Sequence, residues 1–465
     1  MTNPNRRTDF SEGSIAKHLV TFSLPMFLGN LLQALYNTVD SIWVGRFLGP
    51  ASLGAVSVSF PIVFSLVALV TGLTIAATVM VAQYYGAKDH NMVKKTVANT
   101  TTVLSLSALI LTVAGIALTP AMLRLINTPA DIMNEAVSYL RIFLSGMLFV
   151  FLYNGASGIM RGLGDSRTPL RFLFVATVVN IVLDPLLIFG IGPFPAMGVA
   201  GAALATVIAQ GVAFALVVIY LWKAKDLLPD TKEQWQFDVH IIKDMFRIGL
   251  PSGVQQLLVS LGGLTITSIV NSFGTATTAA YGAAVRLDQF AFMPTMSVGL
   301  AVSALTGQNL GAGKEERVKD VVRAGLRLSL TITAVVSLIA VLFPRVLLVL
   351  FTKDQAVLEV GSQYLRIVGL SYTAFAAMFV FNGVLRGAGD TIPTMFITLT
   401  SLWLVRVPLA KLFSSIPALG VNGIWMGVLI GTLVGLLGSY LYYRTGKWKN
   451  KAVAKKKNEP DLQDV

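Results

Sequence analysis

An all-α polytopic membrane protein is the fold class this sequence predicts: twelve transmembrane helices in two six-helix bundles related by a parallel pseudo-two-fold repeat. Three observations carry that expectation. Of 465 residues, 54% are hydrophobic and 13% charged, and the mean hydropathy is +0.71. Apolar runs long enough to cross a bilayer, about 20 residues each, recur along the whole chain. Motifs of the first half return in the second at a nearly constant offset.

The first run, near 15–46, follows a short polar, basic segment. It is too long for the apolar stretch of a signal peptide and has no small-residue cleavage site, so it should stay in the mature chain. The runs that follow, separated by polar or Gly/Pro-marked breaks, lie near 52–83, 93–119, 132–160, 166–191 and 197–222. After the polar stretch KAKDLLPDTKEQWQFDVHI come runs near 242–272, 278–309, 318–345, 357–385, 391–416 and 420–444. None alternates with the short period of a barrel strand, which disfavours a β-barrel.

The repeat fixes how these spans group. YLRIFLSG at Tyr139 aligns with YLRIVGLS at Tyr364, MRGLGDSRTP at Met160 with LRGAGDTIP at Leu385, and YYGAKD at Tyr84 with NLGAGK at Asn309, each 225 residues apart. Six helices per half leave both halves with the same orientation, so the repeat axis runs along the membrane normal. The expected organisation is an amino-terminal lobe over 1–222, a cytoplasmic linker over 223–241, a carboxyl-terminal lobe over 242–444 and a basic cytoplasmic tail over 445–465. Two bundles of this kind suit rocking around a shared cavity.

Net charge is +13, yet its distribution points to lipid rather than nucleic acid. Most of the 36 Lys and Arg residues fall on one side of the membrane, among them Lys88, Lys94, Lys95, Arg161, Arg167, Arg171, Lys314, Arg317, Lys319 and Arg323; Arg46, Arg124, Arg345, Lys353 and Lys411 fall on the other. By the positive-inside rule both termini are cytoplasmic, and the tail KWKNKAVAKKK faces solvent or lipid headgroups. The absence of cysteine excludes disulfides and thiolate metal sites.

Ionisable groups at membrane depth cost a few kcal/mol, about 2.5–3.5 on insertion scales, and so mark cavities or partners. On the first span Asn30, Gln33, Asn37 and Asp40 are spaced 3, 4 and 3 and share one face. An interhelical hydrogen-bonding seam would also use Asn and Gln, but it needs no carboxylate. On the fifth span Thr177, Asn180 and Asp184 form a second stripe. Counting 1.5 Å per residue from the outer helix ends places Asp40 roughly 9 Å and Asp184 roughly 12 Å deep, so the two acids share a level. Two carboxylates on one cavity repel when both are ionised, and burial disfavours the ionised form further, which suits them to carry protons. Because Pro185 follows, Asp184 could instead cap the second half of a broken helix. Pro25 offers a similar bend in the first span.

The second half does not repeat this acid pattern. Its seventh span carries Gln255, Gln256, Ser260 and Thr267; its charges are Arg286, Asp288 and Arg406, and the i, i+2 spacing of Arg286 and Asp288 gives them different partners. Arg141 and Arg366, and Asp165 and Asp390 in the RGxGD turns, occur in both halves, which favours architecture over chemistry.

With the LPMFLGNLLQALYNTVDSIWVG first span, the MRGLGDSRTP turn and the NIVLDPLLIFG fifth span in this order over about 440 residues, the chain resembles the multidrug and toxic compound extrusion (MATE) family, and within it the DinF-like branch. The resemblance implies a secondary multidrug antiporter, not an enzyme, that exports organic cations in exchange for protons or sodium. Asp40 and Asp184, with Asn180, are then the proton-coupling residues, and Gln33, Asn37, Tyr139, Thr206 and Met293 are candidate substrate contacts. Phe60, Phe64, Phe290 and Met296 are candidates to line a pocket that repacks around varied substrates. The NorM-like branch carries acids on the seventh and tenth spans; here Gln255 and Gln256 stand on the seventh, which favours proton coupling in the first lobe over a sodium site in the second.

No cofactor is expected. NLGAGKEE has Glu where a phosphate-binding loop needs Ser or Thr for magnesium, and His18, His90 and His240 are too dispersed for a metal site. The partners expected are small organic cations, protons or sodium, and membrane lipids, with the chain acting as a monomer in a bacterial-type cytoplasmic membrane. A sodium-coupled antiporter and a lipid-linked oligosaccharide flippase are the alternatives; the flippase would need several cations to hold a pyrophosphate.

Overall fold

The computed structural model describes residues 8–224 and 228–456. Arg6, Arg7, Lys225 and the end of the basic tail lie outside them. Every regular element among the described residues is helical. Among the described residues ten helices are long and apolar enough to span a bilayer, and two bent pairs, each taken as one span, bring the number to twelve.

These are α1 (Ile15–Trp43), α2 (Pro50–Gly86), α3 (His90–Leu125), α4 (Met133–Ser145 with Met147–Gly162), α5 (Arg167–Phe189) and α6 (Val199–Lys223). The second half has α7 (Val239–Asn271), α8 (Thr275–Gly311), α9 (Glu315–Leu342), α10 (Gln355–Val368 with Ser371–Gly387), α11 (Thr391–Ser414) and α12 (Asn422–Arg444). The two arms of α4 meet at 46°, as do those of α10. Two spans carry π-helical stretches, Val44–Leu48 following α1 and Leu399–Arg406 within α11. π-Turns often mark functional positions.

Small residues bring the helices together, as expected where lipid supplies little hydrophobic drive. On α4, a Cβ at Gly158 would lie 2.8 Å from the Thr74 carbonyl oxygen of α2, and one at Gly162 would lie 2.7 Å from that of Thr78. On α10, the repeat counterparts Gly383 and Gly387 would meet the carbonyls of Gly299 and Ser303 on α8 at 2.5 and 2.4 Å. The same four-residue glycine spacing therefore builds the same contact in each half. The RGxGD turns are also architectural. Gly164 and Gly389 both adopt φ +80°, and Asp165 accepts hydrogen bonds from the backbone N–H groups of Arg167 and Thr168 at 3.0 Å, capping α5.

By packing, the residues form two units. One comprises Leu28–Tyr85 and Asp89–Gly249 with the segment ending at Thr8; the other comprises Asp9–Phe27, Gly86–Lys88 and Leu250 onward. Each half of the sequence thus lends part of a helix to the other unit, with the changeovers in α1 and α7 falling beside Pro25 and Pro251. In the second unit Phe10, Leu19 and Phe22 belong to one buried cluster with Val298, Val302, Leu305 and Val380. The Phe10 N–H donates to Gln308 Oε1 at 2.8 Å, Asn309 Nδ2 donates to the Phe10 carbonyl at 3.2 Å, and Arg317 Nη2 donates to that of Gly13 at 3.0 Å.

Candidate functional site

Within the first unit, α1, α4, α5 and α6 bring six polar side chains together. Asp184 and Asn180 are fully buried on α5, one turn apart, and Asn180 Nδ2 donates to Asp184 Oδ1 at 3.1 Å. Asp184 Oδ2 and Asn180 Oδ1 are buried with no hydrogen-bond partner among the protein groups. On α1, Asp40 is half-buried and its Oδ1 is likewise unpartnered. The charge of Asp40 acts on Asp184, and both act on Tyr36 and Tyr139, so the two acids and two phenols form one electrostatic neighbourhood.

Tyr36 OH donates to Thr206 Oγ1 of α6 at 3.0 Å, and Tyr139 is buried against Val199 and Ala203 of the same helix. A Cβ on Gly201 would lie 2.6 Å from the Leu187 carbonyl oxygen, which is how closely α5 and α6 run here. The arrangement gathers three bare acceptor oxygens, two of them carboxylate, beside three hydroxyl groups and no cation. Buried acceptors normally find a donor or an ion; a proton on either acid supplies one.

The expected residues divide accordingly. Asp40, Asp184, Asn180, Tyr139 and Thr206 meet in this cluster. Gln33 and Asn37 share the α1 face, but Gln33 Nε2 donates to Asn37 Oδ1 at 3.3 Å and Asn37 is exposed. Thr177 turns its hydroxyl back to the Leu173 carbonyl. Met293 lies half-buried on α8 in the second unit, outside this cluster. Pro185 sits inside an unbroken α5, so Asp184 does not cap a second helix. Tyr36 was not anticipated, although Gln33, Tyr36 and Asp40 are spaced 3 and 4 and that spacing could have found it.

In the second unit Gln255 is fully engaged: Nε2 donates to Thr398 Oγ1 at 2.7 Å, and Oε1 accepts from Arg386 at 3.0 Å. Arg286 is exposed while Asp288 is buried, so the two do have different surroundings. Among the described residues, no group of three or more His, Cys, Asp or Glu side chains could hold a metal ion.

The MatE family model matches the chain twice, over residues 25–186 and 251–412, beginning at the two repeat-related prolines. The probable multidrug resistance protein YpnP of Bacillus subtilis (strain 168) is 36% identical over 444 residues, covering 95% of this chain and 97% of the relative. The probable multidrug resistance protein NorM of Thermotoga maritima is 30% identical over 458 residues, covering 96% of each. A solved structure described as MATE in the straight conformation superposes with a TM-score of 0.88 at 26% identity, covering 98% of this chain and 100% of that one.

Proposed function

Because this chain belongs to the MATE family, a family of membrane transporters and not of enzymes, we propose that it exports lipophilic organic cations in exchange for protons, with Asp40 and Asp184 as the coupling carboxylates. The relatives support multidrug export; the coupling ion and its carboxylates are inferred from the cluster. One observation carries that reading: both acids keep a bare buried oxygen and Asp184 senses the charge of Asp40, with no cation in the cluster to neutralise them.

In this mechanism the ionised pair attracts a cationic substrate from the cytoplasmic side. Protons arriving from outside neutralise the acids and remove the attraction. Substrate and proton compete for one set of oxygens, so proton binding shifts the equilibrium by its differential affinity for the two states. Asn180 holds one oxygen of Asp184 in place, and Tyr36, Tyr139 and Thr206 wall the site with hydroxyl groups that serve either form. Both termini face the cytoplasm, following the Lys/Arg bias. The same three oxygens would suit sodium, the second reading. An oligosaccharide flippase fits less well, because the cluster gathers acids and not the cations a pyrophosphate needs.

Purified protein in vesicles with an imposed pH or sodium gradient tests this. A fluorescent cation should move when the gradient is of protons, and Asp40→Asn and Asp184→Asn should each abolish that movement while folded protein remains. Movement driven by sodium at constant pH would replace the proton with sodium; full activity in both variants would remove the mechanism.

A further inference from the structure

The second unit contains a buried acid that the coupling mechanism leaves unused. Asp288 on α8 is 4% exposed. Its Oδ2 accepts a hydrogen bond from Tyr364 OH at 2.6 Å and its Oδ1 one from Tyr372 OH at 2.5 Å. Those two tyrosines stand on opposite sides of the break in α10: Tyr364 on the arm Gln355–Val368, Tyr372 on the arm Ser371–Gly387, with 46° between the arms. One carboxylate thus holds both arms of a bent span, one oxygen to each. Both short contacts are from O–H donors, so the group is bound as an acceptor at both oxygens, which only the ionised form supplies fully.

One cation stands among its neighbours. The Arg406 guanidinium, at the end of the π-helical stretch of α11, acts on Asp288 electrostatically and donates to Thr432 Oγ1 at 2.9 Å. Tyr281, on α8 itself, stacks on Trp425 at 5.7 Å, and Trp425 lies edge-on to Tyr364 at 4.7 Å. Tyr364, Tyr372, Arg406 and Tyr281 are the titratable and charged groups placed in electrostatic contact with Asp288, one of them a cation. The first unit differs in that respect. There Tyr139, the repeat counterpart of Tyr364 on the equally bent α4, meets two acids and no cation.

We propose that Asp288 is a positioning residue of the transport cycle: as a clamp across the break in α10 it sets the bend of that span, and it takes no part in exchanging the coupling ion. The two halves have then divided one ancestral arrangement, a bent helix with its tyrosine against an acid, into a titrating site and a fixed one.

Transport kinetics with distance measurements test this. Asp288→Asn keeps the shape but offers a single acceptor oxygen, so the maximal rate of cation efflux should fall about tenfold or more, the effect of losing a hydrogen bond to a charged group, with KM and the pH profile unmoved. Spin labels at Glu359 and Thr373, one on each arm, should report a broadened distance distribution in that variant. A displaced pH profile would make Asp288 a titrating coupling group and overturn the proposal; a wild-type rate with an unbroadened distribution would overturn it equally. Should Asp288→Asn fail to reach the membrane, the double variant Tyr364→Phe with Tyr372→Phe removes both donors without removing the acid. The same broadening is expected there, and an unchanged distribution would refute the clamp.

Discussion

Asp184 divides its two oxygens between a partner and none, and that asymmetry is the most informative detail at the scale of single residues. Asn180 takes one oxygen; the other is buried without a donor. Replacing Asn180 by Leu would leave both oxygens of a fully buried carboxylate without a donor, a cost of about 1–3 kcal/mol or more. Proton-driven efflux should drop accordingly in vesicles, and Asn180→Ser, which restores a donor, should recover part of it. Tyr36→Phe deletes the hydroxyl that joins α1 to Thr206; a loss of about 0.5–1.5 kcal/mol is expected in thermal unfolding. The acids and Asn180 were legible because charge and amide groups stand out in an apolar run. Tyr36 was not, since an aromatic residue on a spanning helix packs against lipid or protein as readily as it lines a site.

At the scale of helices, the sequence marks where a span is but not how it bends. Twelve runs were readable to within a few residues, because length and apolarity decide them. The breaks in α4 and α10 carry no proline and fall at Gly146 and beside Gly369. A Cβ on Gly146 would lie 2.6 Å from Val207, so the bend answers to close packing on α6 that no local pattern announces. The π-helical stretches were invisible for the same reason. The glycine pairs on α4 and α10 make a sharp prediction at this scale. Gly383→Val would force a branched side chain onto the Gly299 carbonyl of α8, where overpacking typically costs about 1–3 kcal/mol. Melting of the purified variant should show that loss, and Gly158→Val in the first half should show one of similar size.

For the whole molecule, the repeat was plain from three motifs at one offset, and the family model finds the same two stretches. What could not be read was the exchange of helix ends between units, because it depends on tertiary partners: Phe10 is 1% exposed and sits edge-on to Phe22 at 5.2 Å, inside the core of the second unit. Phe10→Ala should therefore destabilise the protein by about 3–5 kcal/mol, the range for truncating a buried aromatic residue, as read by thermal unfolding. A fragment beginning at residue 223 lacks that plug altogether. It should be degraded when expressed alone and recovered when residues 1–222 are co-expressed, which immunoblotting of membranes would follow.

The amino-terminal turns of α1 are invested in one unit and its Asn30–Asp40 stripe in the other, with Leu28 at the changeover. The helix runs unbroken through that changeover. Deleting Phe27 would turn the stripe by about 100° relative to the helical turns before it, while leaving every side chain of the cluster in the chain. Such a frame slip should silence efflux as completely as removing the carboxylate itself.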